Sequence, residues 1–355
     1  MHAPREKLET LRTGQVGETV GLALPSPYLL FLGDTIEPGY AKTAFGLRDW
    51  APERCVGEIA LPGAQVTTGL PAFQPGEAYE RGARALLIGV ATRGGRVPER
   101  WLPTLTESLR AGLDIVSGMH DRLSDIDELA REARRLRRRL IDVRVPPDGI
   151  AVGTGRKRSG RRLLTVGTDC ALGKKYTALA IARGLKARGQ DVNFRATGQT
   201  GIMIAGAGIP IDAVVSDFIA GAAELLSPDA RADHLDVIEG QGSLFHPSYA
   251  AVTLGLLHGS QPDLFIVCHD PERTHILGLP GFPLPSIEEV IARTVAAGRL
   301  TNPAIRCCGI SLNTSALSAD AAAEVVAATH RRLALPVADP VRGLGLDDLL
   351  DACAA

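Results

Sequence analysis

The stretch VGTDCALGKKYTALAIARG, residues 166–184, carries the residue types of an anion site. Gly167, Gly173 and Lys174 stand at Gly-x5-Gly-Lys spacing, with a predicted strand before them and a predicted helix after. In such a turn the backbone N–H groups converge on an anion, and the helix N-terminus adds partial positive charge. The ammonium of Lys174 adds a full charge. The spacing is one residue longer than the common GxxxxGK[ST] form. The next position departs further. A magnesium ion on a β/γ-phosphate needs a hydroxyl after the loop lysine, and this chain has Lys175 there. Lysine supplies no ligand and repels the metal. Thr177 lies two residues on, where a helix would turn it elsewhere. Two adjacent lysines suit phosphates neutralised without a metal, such as the diphosphate or 3′-phosphate of coenzyme A.

Other reactive residue types fall at predicted strand ends, where ligands sit in doubly wound sheets. HLDVIEG, 234–240, ends in Glu239, beside the phosphate loop. Glu239 is open to three roles: general base, orienting a metal-bound water, or balancing the lysines. NFRATGQTG, 193–201, offers Arg195, Thr197, Gln199 and Thr200, and Arg195 has the planar fork that suits a carboxylate. Asp217 opens an otherwise apolar helix, as a cap or as a ligand for a substrate amine. His269 follows the strand DLFIVCH as a general acid/base or as a turn histidine, and Asn313 ends another strand. Cys170 lies inside the loop, where a helix N-terminus is expected to lower its pKa. A small residue tolerated in a tight loop is the simpler account of it than a covalent acyl-cysteine. Nearer the N-terminus, Lys42, Arg48, Trp50 and His120 occupy similar strand-end positions.

Alternating elements must position these groups. Strands are predicted at 28–34, 83–91, 114–118, 140–145, 162–168, 191–197, 234–240, 263–269 and 304–313. Helices are predicted at 98–112, 124–140, 173–188, 214–226, 286–297, 318–332 and 346–353. Ser124 is expected as the N-cap of its helix, with Asp127 completing a capping box. Alternation of this kind argues for α/β architecture, with parallel sheets covered on both faces. The 355 residues suffice for two such domains. The boundaries read as a loose polar leader at 1–27, a first domain at 28–150, a linker at 151–162 and a P-loop domain at 163–355. The linker PPDGIAVGTGRKRSGRR is rich in Pro, Gly and basic residues and is expected to be a solvated tether. The Arg-rich run at 131–139 reads as a solvated helix face.

Composition excludes some partners. Net charge is −1, so nothing global points to nucleic acid or an anionic membrane. No segment approaches ~18 uninterrupted apolar residues, so no membrane span is expected. Six cysteines show no CxxC pair or Cys/His ligand spacing, which predicts reduced thiols in a cytoplasmic protein and no metal site.

Longer motifs carry a resemblance. GTDCALGKKYTALAIA, DFIAGAAE and IEGQGSLFHPSYAAVTLGLLHGSQPD, with KTAFGLRDW, LIGVATRGGRVPERW and AGLDIVSGMHDRL, resemble the family that includes D-glutamate N-acetyltransferases. The resemblance runs from about 28 to 350 and implies a Rossmann-like N-terminal domain joined to a P-loop NTPase-like C-terminal domain. The latter is similar to dethiobiotin synthetase, which has Thr after the loop lysine where this chain has Lys175. The implied reaction is acetyl transfer from acetyl-CoA, as cosubstrate and with no metal required, to the amine of an amino acid, D-glutamate above all. The partner is then a small molecule, and a homodimer is compatible. On this reading Gly167, Thr168, Asp169, Gly173, Lys174, Lys175, Thr177 and Asn313 bind the coenzyme. Arg195, Thr197, Gln199 and Lys42 bind the acceptor. Glu239 is the first choice for the base that deprotonates the ammonium, then Asp217, then His269. An ATP/magnesium-dependent ligase or kinase of the dethiobiotin synthetase type, with Glu239 or Asp169 as metal ligand, is the alternative.

Overall fold

The computed structural model describes residues 22–355. The first half contains β1 (Leu22–Ala23), β2 (Tyr28–Phe31), α1 (Lys42–Trp50), β3 (Cys55–Ile59), α2 (Pro75–Glu80), β4 (Ala85–Ile88), α3 (Leu102–Arg110), β5 (Asp114–Ser117), α4 (Asp127–Leu136) and β6 (Leu140–Asp142). Five of these strands form a parallel sheet in the order β3-β2-β4-β5-β6. YLLF and ALLI are buried at every position, as strands covered by helices on both faces require. Strand order reverses between β2 and β4, the switch point at which doubly wound sheets bind ligands. The helix α1 starts there, with the Ala44 N–H donating to Gly89 O at 2.9 Å.

The second half contains β7 (Arg161–Gly167), α5 (Lys174–Ala187), β8 (Val192–Arg195), α6 (Gln199–Ala205), β9 (Ala207–Gly208), α7 (Ile219–Leu226), β10 (Leu235–Ile238), α8 (Ala250–Ser260), β11 (Leu264–His269), β12 (His275–Ile276), β13 (Leu279–Pro283), α9 (Ile287–Gly298), β14 (Arg306–Leu312), α10 (Ala319–Leu333), β15 (Val337–Ala338) and α11 (Leu346–Ala354). A parallel six-stranded sheet runs β15-β14-β11-β7-β10-β8. Flanked by β10 and β11, β7 delivers its loop to the middle of the sheet edge. The architecture is α/β throughout, as expected.

Several expected details differ. Ser124 does not cap a helix: it lies in a short 3-10 turn, and α4 begins at Asp127 behind Ile126 with no side-chain cap. The basic segment before β7 is no solvated tether. Arg158 and Arg162 are buried, and Arg158 donates to Ser227 O at 2.7 Å and Gly259 O at 2.8 Å. Carbonyls left at the ends of α7 and α8 supply what two guanidinium groups need out of water. Of the segment read as a leader, residues 1–21 lie outside the described residues, while Leu22–Ala23 pairs antiparallel with β9 in the second half. No helix among the described residues is long and apolar enough to cross a membrane.

The halves share a core. Leu179, Ala196, Ile202, Met203 and Ile204 pack into the apolar cluster of the first sheet. Around them, Trp50 stacks on Tyr176 with ring centroids 5.8 Å apart, and the Thr43 and Thr200 hydroxyls lie 2.9 Å apart. The helix α6 thus belongs by chain to the second domain and by packing to the first. Both tryptophans, Trp50 and Trp101, lie in the first half, so indole fluorescence reports that half. Met203→Ala is expected to destabilise the protein by about 2–5 kcal/mol and to shift the fluorescence-detected urea transition. An unmoved fluorescence transition would show that the shared core does not couple the halves.

Candidate active site

A cavity of about 930 Å³ opens at the C-terminal edge of the second sheet. The phosphate loop forms its floor, from Cys170 to Thr177. Two left-handed residues bend that loop, Ala171 at φ 53° and Gly173 at φ 100°, and glycine tolerates the second at no steric cost. Lys174 is buried and folds back, its Nζ donating to Asp169 O at 2.7 Å. Burial pushes its pKa down. Lys175 diverges from it, with Nζ 4.3 Å from the centroid of the Tyr176 ring. The expected lysine pair is therefore split: Lys174 braces the loop, and Lys175 faces the wall that holds Glu239.

Glu239 is buried. One carboxylate oxygen accepts the N–H groups of Thr197 at 3.0 Å and Gly198 at 3.1 Å. The Thr197 hydroxyl donates to the Glu239 carbonyl at 2.7 Å. Gly201 packs against the same carboxylate so closely that a Cβ there would collide with it. Burial raises the pKa of Glu239 against the attraction of Lys175 and the two amides. Burial likewise lowers that of Lys175 against the attraction of Glu239. Each group is driven toward its neutral form, and their mutual attraction offsets this only in part.

The other expected residues divide. Lys42, Gln199 and Asn313 line the cavity with Lys174, Lys175, Thr177, Gly173 and Glu239. Thr177 does so with its hydroxyl held 2.7 Å from that of Ser311. Gly167, Thr168 and Asp169 support the loop from below instead of lining the space above it. The Thr168 hydroxyl lies 3.1 Å from His269 Nδ1. Asp169 is fully buried, and its carboxylate accepts the Cys170 N–H, the Leu277 N–H and Arg273 Nη1, at 2.6, 2.7 and 2.9 Å. It stands within 4.8 Å of ligand-type atoms of Cys170 and His246, but Arg273 already neutralises it. Thr197 is buried behind Glu239 and accepts from Gln241 Nε2 at 3.0 Å.

Three expectations are corrected outright. Arg195 does not face the cavity: its Nε donates to the buried Asp236 at 2.6 Å, an internal ion pair of the sheet. Asp217 is exposed in a 3-10 turn ahead of α7, away from the cavity wall. His269 sits at the end of β11 but outside the cavity lining, and burial lowers its pKa. Cys170 does line the cavity, yet burial raises the pKa of its thiol instead of the loop lowering it.

Groups that sequence reasoning missed complete the wall. Arg144, just past β6, reaches in from the first half, with Nη1 on Gln199 Oε1 at 2.5 Å and Nη2 on Asp212 at 3.0 Å. Arg342 closes the far side beside Asn313, donating to Leu317 O at 2.7 Å. Both follow the last residues of parallel strands, and that position was their only signal. The cavity thus draws cations from both sheets.

Comparison with known proteins places the chain in a family. Residues 149–350 match the family described as the DUF1611 P-loop domain, and residues 55–146 match the DUF1611 Rossmann-like domain, both domains of unknown function. A D-glutamate N-acetyltransferase from Pseudoalteromonas sp. is 46% identical over 329 residues, covering 93% of this chain and 99% of that protein. Another from Tritonibacter scottomollicae is 47% identical over 332 residues, covering 94% and 99%. A crystal structure of a DUF1611 family protein from Anabaena variabilis aligns with a TM-score of 0.80 at 34% identity, over 92% of this chain and 98% of that one. The chain belongs to this two-domain family, alongside the D-glutamate N-acetyltransferases, and is an acyltransferase of the N-acetyltransferase class.

Proposed function

We propose that the chain transfers the acetyl group of acetyl-CoA to the amine of D-glutamate. The observation that carries this reading is Glu239, a buried carboxylate held by two amides beside Lys175, in a cavity whose floor is the phosphate loop. The loop and Lys174 bind the coenzyme phosphates. An amino acid arrives as an ammonium and is not a nucleophile until it loses a proton. Glu239 takes that proton, and the amine nitrogen attacks the thioester carbonyl. The loop N–H groups stabilise the oxyanion. Collapse breaks the C–S bond, and the second amine proton goes to the departing thiolate. We read transfer as direct, since Cys170 lines the cavity but burial pushes the pKa of its thiol up.

Isothermal titration tests the cosubstrate. Acetyl-CoA is expected to bind in EDTA, and Lys174→Ala to weaken binding about 10- to 100-fold. Binding of ATP with magnesium, and none of acetyl-CoA, would favour a ligase or kinase instead.

The pH profile tests the base. Only the carboxylate form of Glu239 accepts a proton, and burial raises its pKa. Activity is therefore expected to fall as the pH drops through a value above the ordinary carboxylate range. Glu239→Gln should lower kcat about 100-fold or more, leave acetyl-CoA affinity in place and abolish this acid limb. Residual activity with the limb intact would assign the base elsewhere.

Cys170→Ser is expected to keep turnover within a few-fold of the parent. An inactive variant, together with acetylated Cys170 in the parent by mass spectrometry, would replace direct transfer with a covalent route.

A further inference from the structure

We infer that Arg144 holds the distal carboxylate of the acceptor, so that the site selects a dicarboxylic amino acid. The inference rests on the acetyl-transfer reading and names the residue that sets its substrate class.

Five cations line the cavity: Lys42, Arg144, Lys174, Lys175 and Arg342. Lys174 is committed to the phosphate loop through Asp169 O. Arg342 is held by its own segment, with Nη2 on the carbonyls of Thr314 and Leu317 at 3.0 and 2.7 Å and Nε 3.9 Å from Asp339. Lys175 is within electrostatic reach of both Glu239 and Lys42, and both lysines line the cavity. In an amino acid the α-carboxylate shares its carbon with the amine. With the amine at Glu239, the α-carboxylate falls to Lys175 and Lys42. The remaining cation, Arg144, is then left for a second carboxylate further along the side chain.

The mounting of Arg144 supports this role. Its side chain is 25% exposed and fixed at two points, Gln199 Oε1 at 2.5 Å and Asp212 Oδ2 at 3.0 Å. Gln199 follows Gly198, whose N–H holds Glu239. One short segment therefore orients both the base and the guanidinium. Asp212 is itself within electrostatic reach of Glu239. With one bond each from Nη1 and Nη2 committed, the guanidinium keeps further N–H donors, which a carboxylate accepts with both oxygens and the NH2 end of a neutral amide does not. A lysine would offer a point charge without that geometry.

The test is a thiol-release assay with acetyl-CoA and two acceptors of nearly equal shape, D-glutamate and D-glutamine. The parent is expected to prefer D-glutamate. Arg144→Met should cut kcat/KM for D-glutamate about 100-fold, chiefly through KM, and leave D-glutamine within a few-fold, so that the preference collapses. Arg144→Lys should restore part of it. Titration with acetyl-CoA checks that each variant keeps its fold. If Arg144→Met loses acetyl-CoA binding, Gln199→Leu decides, since it unfastens the guanidinium without removing it: a rise in KM for D-glutamate alone supports the inference. Equal losses for both acceptors, or an unchanged KM for D-glutamate, would overturn it. A parent that releases no thiol with any amino acid would instead end the acetyl-transfer reading, and this assignment with it.

Discussion

Everything at the site depends on one buried carboxylate. Glu239 leaves the end of β10 with no solvent to hold it and takes its hydrogen bonds from the turn that follows β8. An unpaired buried carboxylate would be costly, so this turn must stay where it is. The turn runs directly into α6, and α6 packs its Ile202, Met203 and Ile204 into the core of the other sheet. The chemistry of the cavity and the docking of the two halves are therefore tied through a single segment of a dozen residues or so.

The same arrangement explains why the cavity is not built by one domain. The P-loop sheet contributes the floor, the buried Glu239 and Arg342. The first half contributes Lys42, the first residue of α1, and Arg144, just beyond the C-terminal end of β6. Strand ends of both sheets converge on one space, and cations from one half face a carboxylate from the other. Burial raises the pKa of Glu239 and lowers that of Lys175, and each group's charge pulls the other's the opposite way.

Much of the fold was legible in the sequence because its strands are apolar runs buried on both faces. YLLF, ALLI and the strand before the phosphate loop could scarcely be anything else. Short elements were not legible. QTGIMIA forms α6 because the neighbouring domain buries it, and no local periodicity announces that. Ser124 looked like a cap, but the chain turns through a 3-10 segment first. The loop and Glu239 were legible because Gly-Lys spacing and a strand-end carboxylate have a direct physical meaning. Arg195 misled because its position was right and its partner was hidden: Asp236 lies two residues before a strand end, and only the register of β8 beside β10 brings the two together. Arg144 was invisible for the opposite reason, since it meets its partners only after the two halves dock.

The pairing of β1 with β9 bears on how the polypeptide comes off the ribosome. Leu22 and Ala23 find their backbone partners at Gly208 and Ala207. The earliest described strand thus has no ladder to join until the polymerisation of the chain is well past its midpoint. The N-terminal sheet can close beforehand, but its Met203-facing surface stays bare until α6 emerges. The strand at Leu22–Ala23 and the surface that takes Met203 therefore gain their partners only from the second half of the chain.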